Sequence, residues 1–229
     1  MTLADSLKAA FPPPHRVGWP FVGGGIVVFV LGLLISKWLA VLGLAFALFC
    51  LFFFRNPTRT PPSRPGVIVA PADGRITAVS MVAPPVELGM GDMPRWRVSV
   101  FLSVLNVHAN RMPIAGTVTR IAYRHGAFVN ASLDKASAEN ERNAVAIRLD
   151  DGRDLAYVQI AGLIARRILC FVAEGDRVST GGICGFIRFG SRTDVYLPEG
   201  VAPLVELGQT MVGGETVIAE MTDQDDHEP

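Results

Sequence analysis

Cysteine is scarce in this chain, with three among 229 residues: Cys50, Cys170 and Cys184. The number is odd and no two cysteines have Cys-x-x-Cys spacing, which argues against a disulfide framework and against a zinc site. Buried free thiols in a reducing compartment are the favoured interpretation. We therefore predict no metal site.

An excess of charge of either sign is also missing. The chain has 21 basic and 21 acidic residues, and charged residues make up only 18% of it. A nucleic-acid-binding domain usually carries a basic excess, so we expect no nucleic-acid partner. Apolar residues reach 50%, which is more than a typical soluble domain contains.

Most of this apolar excess lies between Trp19 and Phe54, where only Ser36 and Lys37 interrupt the run. One long tilted span is possible. We prefer two helices, over residues 19–35 and 38–54, each about 26 Å long and slightly short for a ~30 Å hydrocarbon core. A lysine in mid-membrane would cost about 2.5 kcal/mol or more, whereas a hairpin turn lets Lys37 reach the far interface.

Positive charge flanks the apolar region on both sides. The positive-inside rule then places both flanks in the cytoplasm, which requires an even number of crossings. The hairpin is predicted to cover residues 19–54 after a cytoplasmic segment, 1–18, and whether it spans the bilayer or dips into one leaflet stays open. The flanking charges are Lys8, Arg16, Arg55, Arg59 and Arg64.

The remainder of the chain predicts a mostly β (α+β) soluble domain. A proline-rich linker, 55–66, leads to a β-rich domain, 67–222, whose short strands are separated by Gly, Pro and Asp turns, and an acidic tail, 223–229, follows. Residues 174–178 (Glu-Gly-Asp-Arg-Val) have the pattern of lipoyl- and biotinyl-type barrels, so lipoyl or barrel-sandwich-like elements are expected. No lysine stands at a suitable hairpin tip, which disfavours a swinging-arm carrier.

Residues 189–194 (Phe-Gly-Ser-Arg-Thr-Asp) lie close to the C-terminus. The glycine has no Cβ, so the hydroxyl of Ser191 could approach the carbonyl of Gly190 and attack it. A plain turn is the alternative for a Gly-Ser pair. The longer string resembles the self-cleavage site of the short bacterial phosphatidylserine decarboxylases, which are pyruvoyl enzymes. Three further blocks resemble that family in order and spacing: residues 54–57 leading to 71–74, residues 101–113, and residues 123–128 with 130–131 and 140–143.

The resemblance implies a chemistry and a set of partners. Ser191 would attack the carbonyl of Gly190, the chain would be cut between them, and residue 191 would become a covalent pyruvoyl group. Chains 1–190 and 191–229 would stay together as a heterodimer, with a higher oligomer left open. The pyruvoyl ketone would form a Schiff base with phosphatidylserine in the membrane and decarboxylate it to phosphatidylethanolamine. The expected location is the inner cell membrane, with the catalytic domain on the cytoplasmic side.

The resemblance also assigns catalytic residues. Asp73 would serve the self-cleavage apparatus, and His108 matches the histidine that the family associates with decarboxylation. Arg111 stands where longer family members have a second histidine, and arginine cannot act as a base. The base is therefore His108 or His125, or Ser191 is activated in another way.

Four residues are candidates for binding the lipid. A guanidinium makes bidentate contacts with phosphate or carboxylate, which suits Arg111, Arg124 and Arg142, and His125 lies in the same block. Solvated surface charge is the alternative for each arginine. Two rival functions stay open: a membrane-anchored lipoyl-like adaptor without catalysis, and the same chemistry on another serine lipid.

Overall fold

A computed structural model describes residues 11–128, 131, 139–162, 167–188 and 191–221, and the chain divides into two compact units. The first comprises Met1–Thr58 with Val107–Ala109, and the second comprises Arg59–Asn106 with Asn110–Pro229. Of the sequence predictions, Gly190, the acidic tail and residues 1–10 of the N-terminal segment lie outside the described residues.

The first unit contains two apolar helices. A short 3-10 turn, Arg16–Gly18, leads into α1 (Trp19–Ile35), and α2 (Lys37–Phe53) follows after a single residue. That residue, Ser36, is extended (φ −162°, ψ 128°) and breaks the helical path. By length and composition, the stretch Arg16–Ile35 could cross a membrane, with a mean hydropathy of 2.1, while α2 is shorter.

Small residues allow the two helices to pack closely. A Cβ at Gly25 would lie 2.8 Å from the backbone nitrogen of Ala47, and one at Gly32 would collide with Ala40. Small residues on facing helix surfaces let backbones approach, as is common for helix pairs in lipid. The outward faces carry large exposed apolar side chains, among them Leu34, which is 84% exposed.

Both ends of the hairpin meet at one side of the first unit. The amide of His15 donates to the carbonyl of Phe54 (2.7 Å), and the amide of Asn56 donates to that of Pro13 (3.0 Å). The basic residues just outside each helix, Arg16 and Arg55, therefore lie at the same end of the hairpin. The turn at the opposite end carries Lys37, whose ammonium lies 5.9 Å from the ring centroid of Trp38.

The second unit is built mainly from β-strands. Its largest sheet has eight strands in the order β12-β2-β3-β11-β7-β6-β5-β9, a second sheet has the order β4-β10-β8, and β1 pairs with β13. The prediction of a mostly β domain is confirmed. The strands are β1 (Val67–Val69), β2 (Gly74–Val82), β3 (Arg95–Leu102), β4 (Ala109–Arg111), β5 (Gly116–Arg124), β6 (Arg142–Arg148), β7 (Asp154–Ala161), β8 (Ile168–Cys170), β9 (Arg177–Val178), β10 (Ile183–Ile187), β11 (Ser191–Tyr196), β12 (Thr210–Met211) and β13 (Val217–Glu220).

Both faces of the central strands are buried. On one face, Val98, Tyr157 and Val195 belong to the main hydrophobic core. On the other face, Val158 and Ile160 belong to a smaller cluster that is capped by Leu88 from the short 3-10 helix Val86–Leu88. Strand β11, covered on both faces and flanked by β3 and β7, is among the most enclosed elements of the unit.

Candidate active site

Ser191 is the first residue of β11 and is fully buried. It pairs with Leu102 of β3 on one side and with Ala161 of β7 on the other. Within the described part of the chain, its Oγ has no hydrogen-bond partner. A buried hydroxyl without a partner carries an uncompensated desolvation cost, which makes it a candidate for chemistry rather than for stability.

The sequence alone predicts a strand only from Val195, whereas β11 begins four residues earlier. Charged residues at 192 and 194 disfavour a buried strand unless they are paired. In the structure, Nε of Arg192 donates to Oδ1 of Asp194 (2.7 Å) and Nη2 donates to Oδ2 (3.0 Å), and both side chains are almost fully enclosed. Because residues i and i+2 of a strand share a face, the pair neutralises itself within one strand.

Asp73 immediately precedes β2, and Arg75 two residues later pairs with Phe101 of β3. Since Phe101 also pairs with Arg192, Asp73 lies at the same end of the strands as Ser191, two strands away. Its carboxylate accepts from Nη2 of Arg59 (2.7 Å) and from the amide of Gly213 (2.8 Å). The negative charge is therefore fixed in place by an ion pair and a backbone bond.

Arg59 comes from the predicted proline-rich linker, 55–66. Its guanidinium also lies 3.6 Å from the carboxylate of Glu215, which accepts a bond from the amide of Thr60 (2.9 Å). Pro61 packs so closely against Gly181 that a Cβ there would collide with its ring. Residues 59–61 are thus packed onto the β unit rather than extended away from it.

Arg111 is buried beside this cluster. Its Nη1 donates to the carbonyl of Gly181 (2.9 Å), and its backbone amide donates to that of Pro71 (2.8 Å). Burial lowers the pKa of Arg111, as does the nearby Arg59, although Asp73 partly offsets this. Arg111 therefore supports the loop that carries Asp73.

The other arginines proposed for lipid binding face each other across two strands. Arg124 of β5 pairs in register with Arg142 of β6. Arg142 is buried, and its Nε donates to Glu87 (2.7 Å). Arg124 is exposed, so of the two it is the one open to a ligand.

His125 follows Arg124 and is also exposed, with an 89% accessible side chain. Its Nδ1 lies 3.6 Å from Oε2 of Glu141, and the hydroxyl of Tyr123 donates to the other oxygen of the same carboxylate. Burial and the bond to Glu141 raise the pKa of Tyr123 to about 12. Glu141 therefore links a neutral phenol to a solvent-facing imidazole.

His108 belongs to the first unit and is fully buried. Its ring lies against that of Phe53, the last residue of α2, with centroids 4.2 Å apart. The structure therefore packs the histidine that the sequence proposes for decarboxylation against the end of the helical hairpin.

In the second unit, five of these residues lie at the same end of the strands of the large sheet: Ser191, Asp73, Arg124, Arg142 and His125. Sequence reasoning assigned no role to Glu141 or Tyr123 at this end, nor to three buried amide side chains of the same unit. For the amides on β6 and β7, Asn143 and Gln159, a polar residue inside a largely apolar strand was the available signal. Among the described residues, no group of three or more His, Cys, Asp or Glu side chains comes together as a metal site would require.

A cavity of about 450 Å³ lies at the other end of β6 and β7, lined by Arg64, Leu149, Asp150 and Arg153 among others. Arg148 and Asp154 are paired at that end, six residues along the strands from the end that carries Ser191. This separation corresponds to about 20 Å. This cavity is therefore separate from the candidate site.

Comparison with known proteins agrees with the resemblance seen in the sequence. A family model described as phosphatidylserine decarboxylase matches residues 46–219. A protein of Granulibacter bethesdensis is 64% identical over 222 residues, covering 97% of this chain and 91% of that protein. Proteins of Gluconobacter oxydans (59% identical; 96% of this chain, 100% of that protein) and Cereibacter sphaeroides (56%; 95% and 94%) are similar over their length. All three are named phosphatidylserine decarboxylase proenzyme.

Proposed function

This chain belongs to the phosphatidylserine decarboxylase family, and we propose that it converts phosphatidylserine to phosphatidylethanolamine through a pyruvoyl group made from its own Ser191. The observation that carries the proposal is the buried, unpartnered Oγ of Ser191 at the start of a strand, within the described residues. The word proenzyme in the relatives' names supports a self-processed chain. The adaptor alternative explains none of these observations.

The proposed self-cleavage uses the chain's own atoms. Oγ of Ser191 attacks the carbonyl carbon of Gly190, and the peptide bond is exchanged for an ester. β-Elimination then removes the Cα proton of residue 191 and breaks the bond between Cβ and Oγ, which leaves Gly190 with a carboxylate. Water replaces the nitrogen of the resulting dehydroalanine, ammonia departs, and a ketone remains at position 191. When formed, this carbonyl supplies an electron sink that no ordinary side chain offers.

The strand pairing supports a stable association of the two products. Strand β11 pairs from Ser191 to Tyr196 with β3 and with β7. The later strands β12 and β13 pair with β2 and β1. Every described strand of chain 191–229 would therefore remain bonded to strands of chain 1–190 after the cut.

We assign separate roles to the candidate site residues. Asp73, fixed by Arg59, supplies negative charge at the same end of the strands as Ser191. His108 delivers a proton to the substrate carbon that loses carbon dioxide, because imidazole is the side chain best suited to donate and accept protons near neutral pH. Arg124 and His125, both exposed, would meet the lipid phosphate. Arg111 and Arg142 would act indirectly, by holding the loops around them.

The first unit supports action at a membrane. It has a helix that is long and apolar enough to cross a bilayer, and Arg16 and Arg55 lie at one end of the hairpin. By the positive-inside rule, these charges favour the cytoplasmic side for that end. We propose the inner membrane, with the β unit in the cytoplasm, because the substrate then never has to leave the bilayer surface.

A denaturing gel combined with mass spectrometry tests the proposal. The wild-type protein should give two chains, the smaller starting at position 191 with a ketone in place of the amine. Ser191→Ala should leave one full-length, inactive chain. Ser99→Ala is the matched control, because Ser99 is also buried with an unpartnered Oγ in the described structure, and it should still be cleaved. A wild-type enzyme that is active as one intact chain would overturn the proposal.

A further inference from the structure

Three buried amide side chains form a continuous hydrogen-bonded chain across the second unit. Nδ2 of Asn143 on β6 donates to Oε1 of Gln159 on β7 (3.1 Å), and Nε2 of Gln159 donates to Oδ1 of Asn110 on β4 (2.8 Å). All three side chains are at most 1% exposed. This chain joins the large sheet to the three-stranded sheet.

The direction of every bond in this chain is fixed. Nε2 of Gln159 also faces the carbonyl oxygen of Leu169 (3.4 Å), and a carbonyl can only accept. The close approach requires Gly185, where a Cβ would stand 2.5 Å from Nε2. Gln159 therefore donates from its NH2 group to Asn110, and Asn110 accepts through its side-chain oxygen.

The NH2 group of Asn110 consequently points away from the chain of amides. It is fully buried and has no acceptor among the residues that the structure describes. A buried amide donor without an acceptor is unfavourable unless a ligand supplies one. The amide nitrogen of Asn110 is therefore a candidate hydrogen-bond donor to an oxygen atom of a ligand.

Within the described part of the unit, a second buried polar group without a partner lies beside Gln159. Thr193 pairs with Gln159 in the register of β11 and β7, and its Oγ1 is buried with no partner in the described part of the unit. Residues 191 and 193 share a face of β11, because side chains alternate along a strand. The amide of Asn110 and the hydroxyl of Thr193 both adjoin Gln159, and Thr193 lies on the face of β11 that carries the side chain of residue 191.

We propose that Asn110 and Thr193 bind the carboxylate of the serine headgroup, which deepens the proposed function and rests on it. Both groups are neutral hydrogen-bond donors. A guanidinium would stabilise the carboxylate charge in the ground state and so oppose its loss as carbon dioxide. Neutral donors orient the carboxylate while stabilising its charge less, which leaves more of the binding energy for the transition state. The buried amide chain holds Asn110 in position for this task.

The product of the reaction has no carboxylate, and this makes the site testable. In the detergent-solubilised, self-cleaved enzyme, Asn110→Leu and Thr193→Val should each raise the KM for phosphatidylserine roughly 10- to 100-fold, the loss expected for a bond to a charged group. The inhibition constant of phosphatidylethanolamine should change less than about two-fold, because this lipid has no carboxylate and so does not use the contact that the variants lose. Thr193→Ser keeps the hydroxyl and should restore the KM.

Self-cleavage, followed on a denaturing gel, is the readout that does not depend on activity. Both variants should be cleaved as fully as the wild type. The inference is overturned if substrate and product binding weaken equally, if neither changes, or if a soluble Asn110→Leu chain stays uncut, because the amide would then act on the peptide bond instead. Should Asn110→Leu fail to fold, Thr193→Val and Thr193→Ser decide alone. A wild-type chain that is neither cut nor active would instead refute the proposed function.

Discussion

The imidazole of His108 lies against the phenyl ring of Phe53, with the ring centroids 4.2 Å apart and the planes inclined by 33°. Neither residue is exposed to solvent. Phe53 ends the second helix of the hairpin, so this helix helps to shape the environment of a proposed catalytic group.

Replacing Phe53 with alanine should therefore affect the chemistry. The lost ring leaves a cavity in which the imidazole can move and meet water, and small displacements of a catalytic group cost up to roughly 100-fold in rate. We expect a lower kcat and an altered pH profile with normal self-cleavage. Phe46 lies on the same helix and is 45% exposed, so Phe46→Ala is the control and should behave as wild type. An unchanged pH profile in a soluble Phe53→Ala enzyme would contradict this role.

Asp73 should be needed for self-cleavage, and Glu215 should not. Asp73→Asn keeps an acceptor for the amide of Gly213 but removes the charge that pairs with Arg59. We expect cleavage to slow about 100-fold or more, as for other acid–base machinery, measured as the half-time of the full-length band. Glu215→Gln removes the other carboxylate near Arg59 and should leave that half-time almost unchanged. Equal effects of both substitutions would mean that Asp73 acts only through Arg59.

All three tyrosines of the chain should stay protonated well into the alkaline range. Burial raises the pKa of Tyr157 well above its ordinary value, and raises that of Tyr196 to about 12. Burial and Glu141 raise the pKa of Tyr123 to about 12 as well. Because these folded-state values exceed the unfolded value of about 10, their contribution to stability is complete below that pH and is lost as pH rises toward 12.

An ultraviolet absorbance titration measures this directly. The folded protein should form almost no tyrosinate at pH values near 10, where an exposed tyrosine is half-ionised. Glu141→Gln should lower the pKa of Tyr123 alone, since that residue loses its carboxylate partner. A midpoint near 10 for any tyrosine in the folded wild type would show that its surroundings differ from those described.

Gly32 should tolerate no larger side chain. A Cβ at this position collides with the backbone of Ala40 on the facing helix, whereas one at Gly24 meets nothing within 4 Å. Gly32→Leu should therefore force α1 and α2 apart and lower the thermal stability in detergent, and Gly24→Leu should not. Matching melting temperatures for the two variants would argue that the helices do not pack in this way.

Local patterns predicted part of the structure well. The apolar run with one polar break predicted the bounds of α1, because a long apolar run and the residues that interrupt it are signals within one stretch of sequence. The short strands between turns predicted a mostly β unit, because strand and turn residues are also local signals. The start of β11 was missed, since the charges of Arg192 and Asp194 are acceptable in a buried strand only through their mutual bond.

Contacts between distant parts of the chain explain the other omissions. Nothing near Arg59 in the sequence indicates that Asp73 and Glu215 fix it onto the β unit. Gln159 and Asn110 are 49 residues apart, and each looks like an isolated polar residue until the two sheets meet. The roles of Ser191, His108 and the arginines remain predictions that the experiments above will decide.

The interleaving of β11, β12 and β13 with strands from the other side of the 190–191 bond has a consequence for the lifetime of the molecule. Before the proposed cut, folding is an event within one molecule. Afterwards, an unfolded copy could recover only if two separate polypeptides found each other again, so its recovery would depend on concentration. Heat damage to the mature protein would thus be permanent at low abundance, and its durability would be set by how slowly it opens.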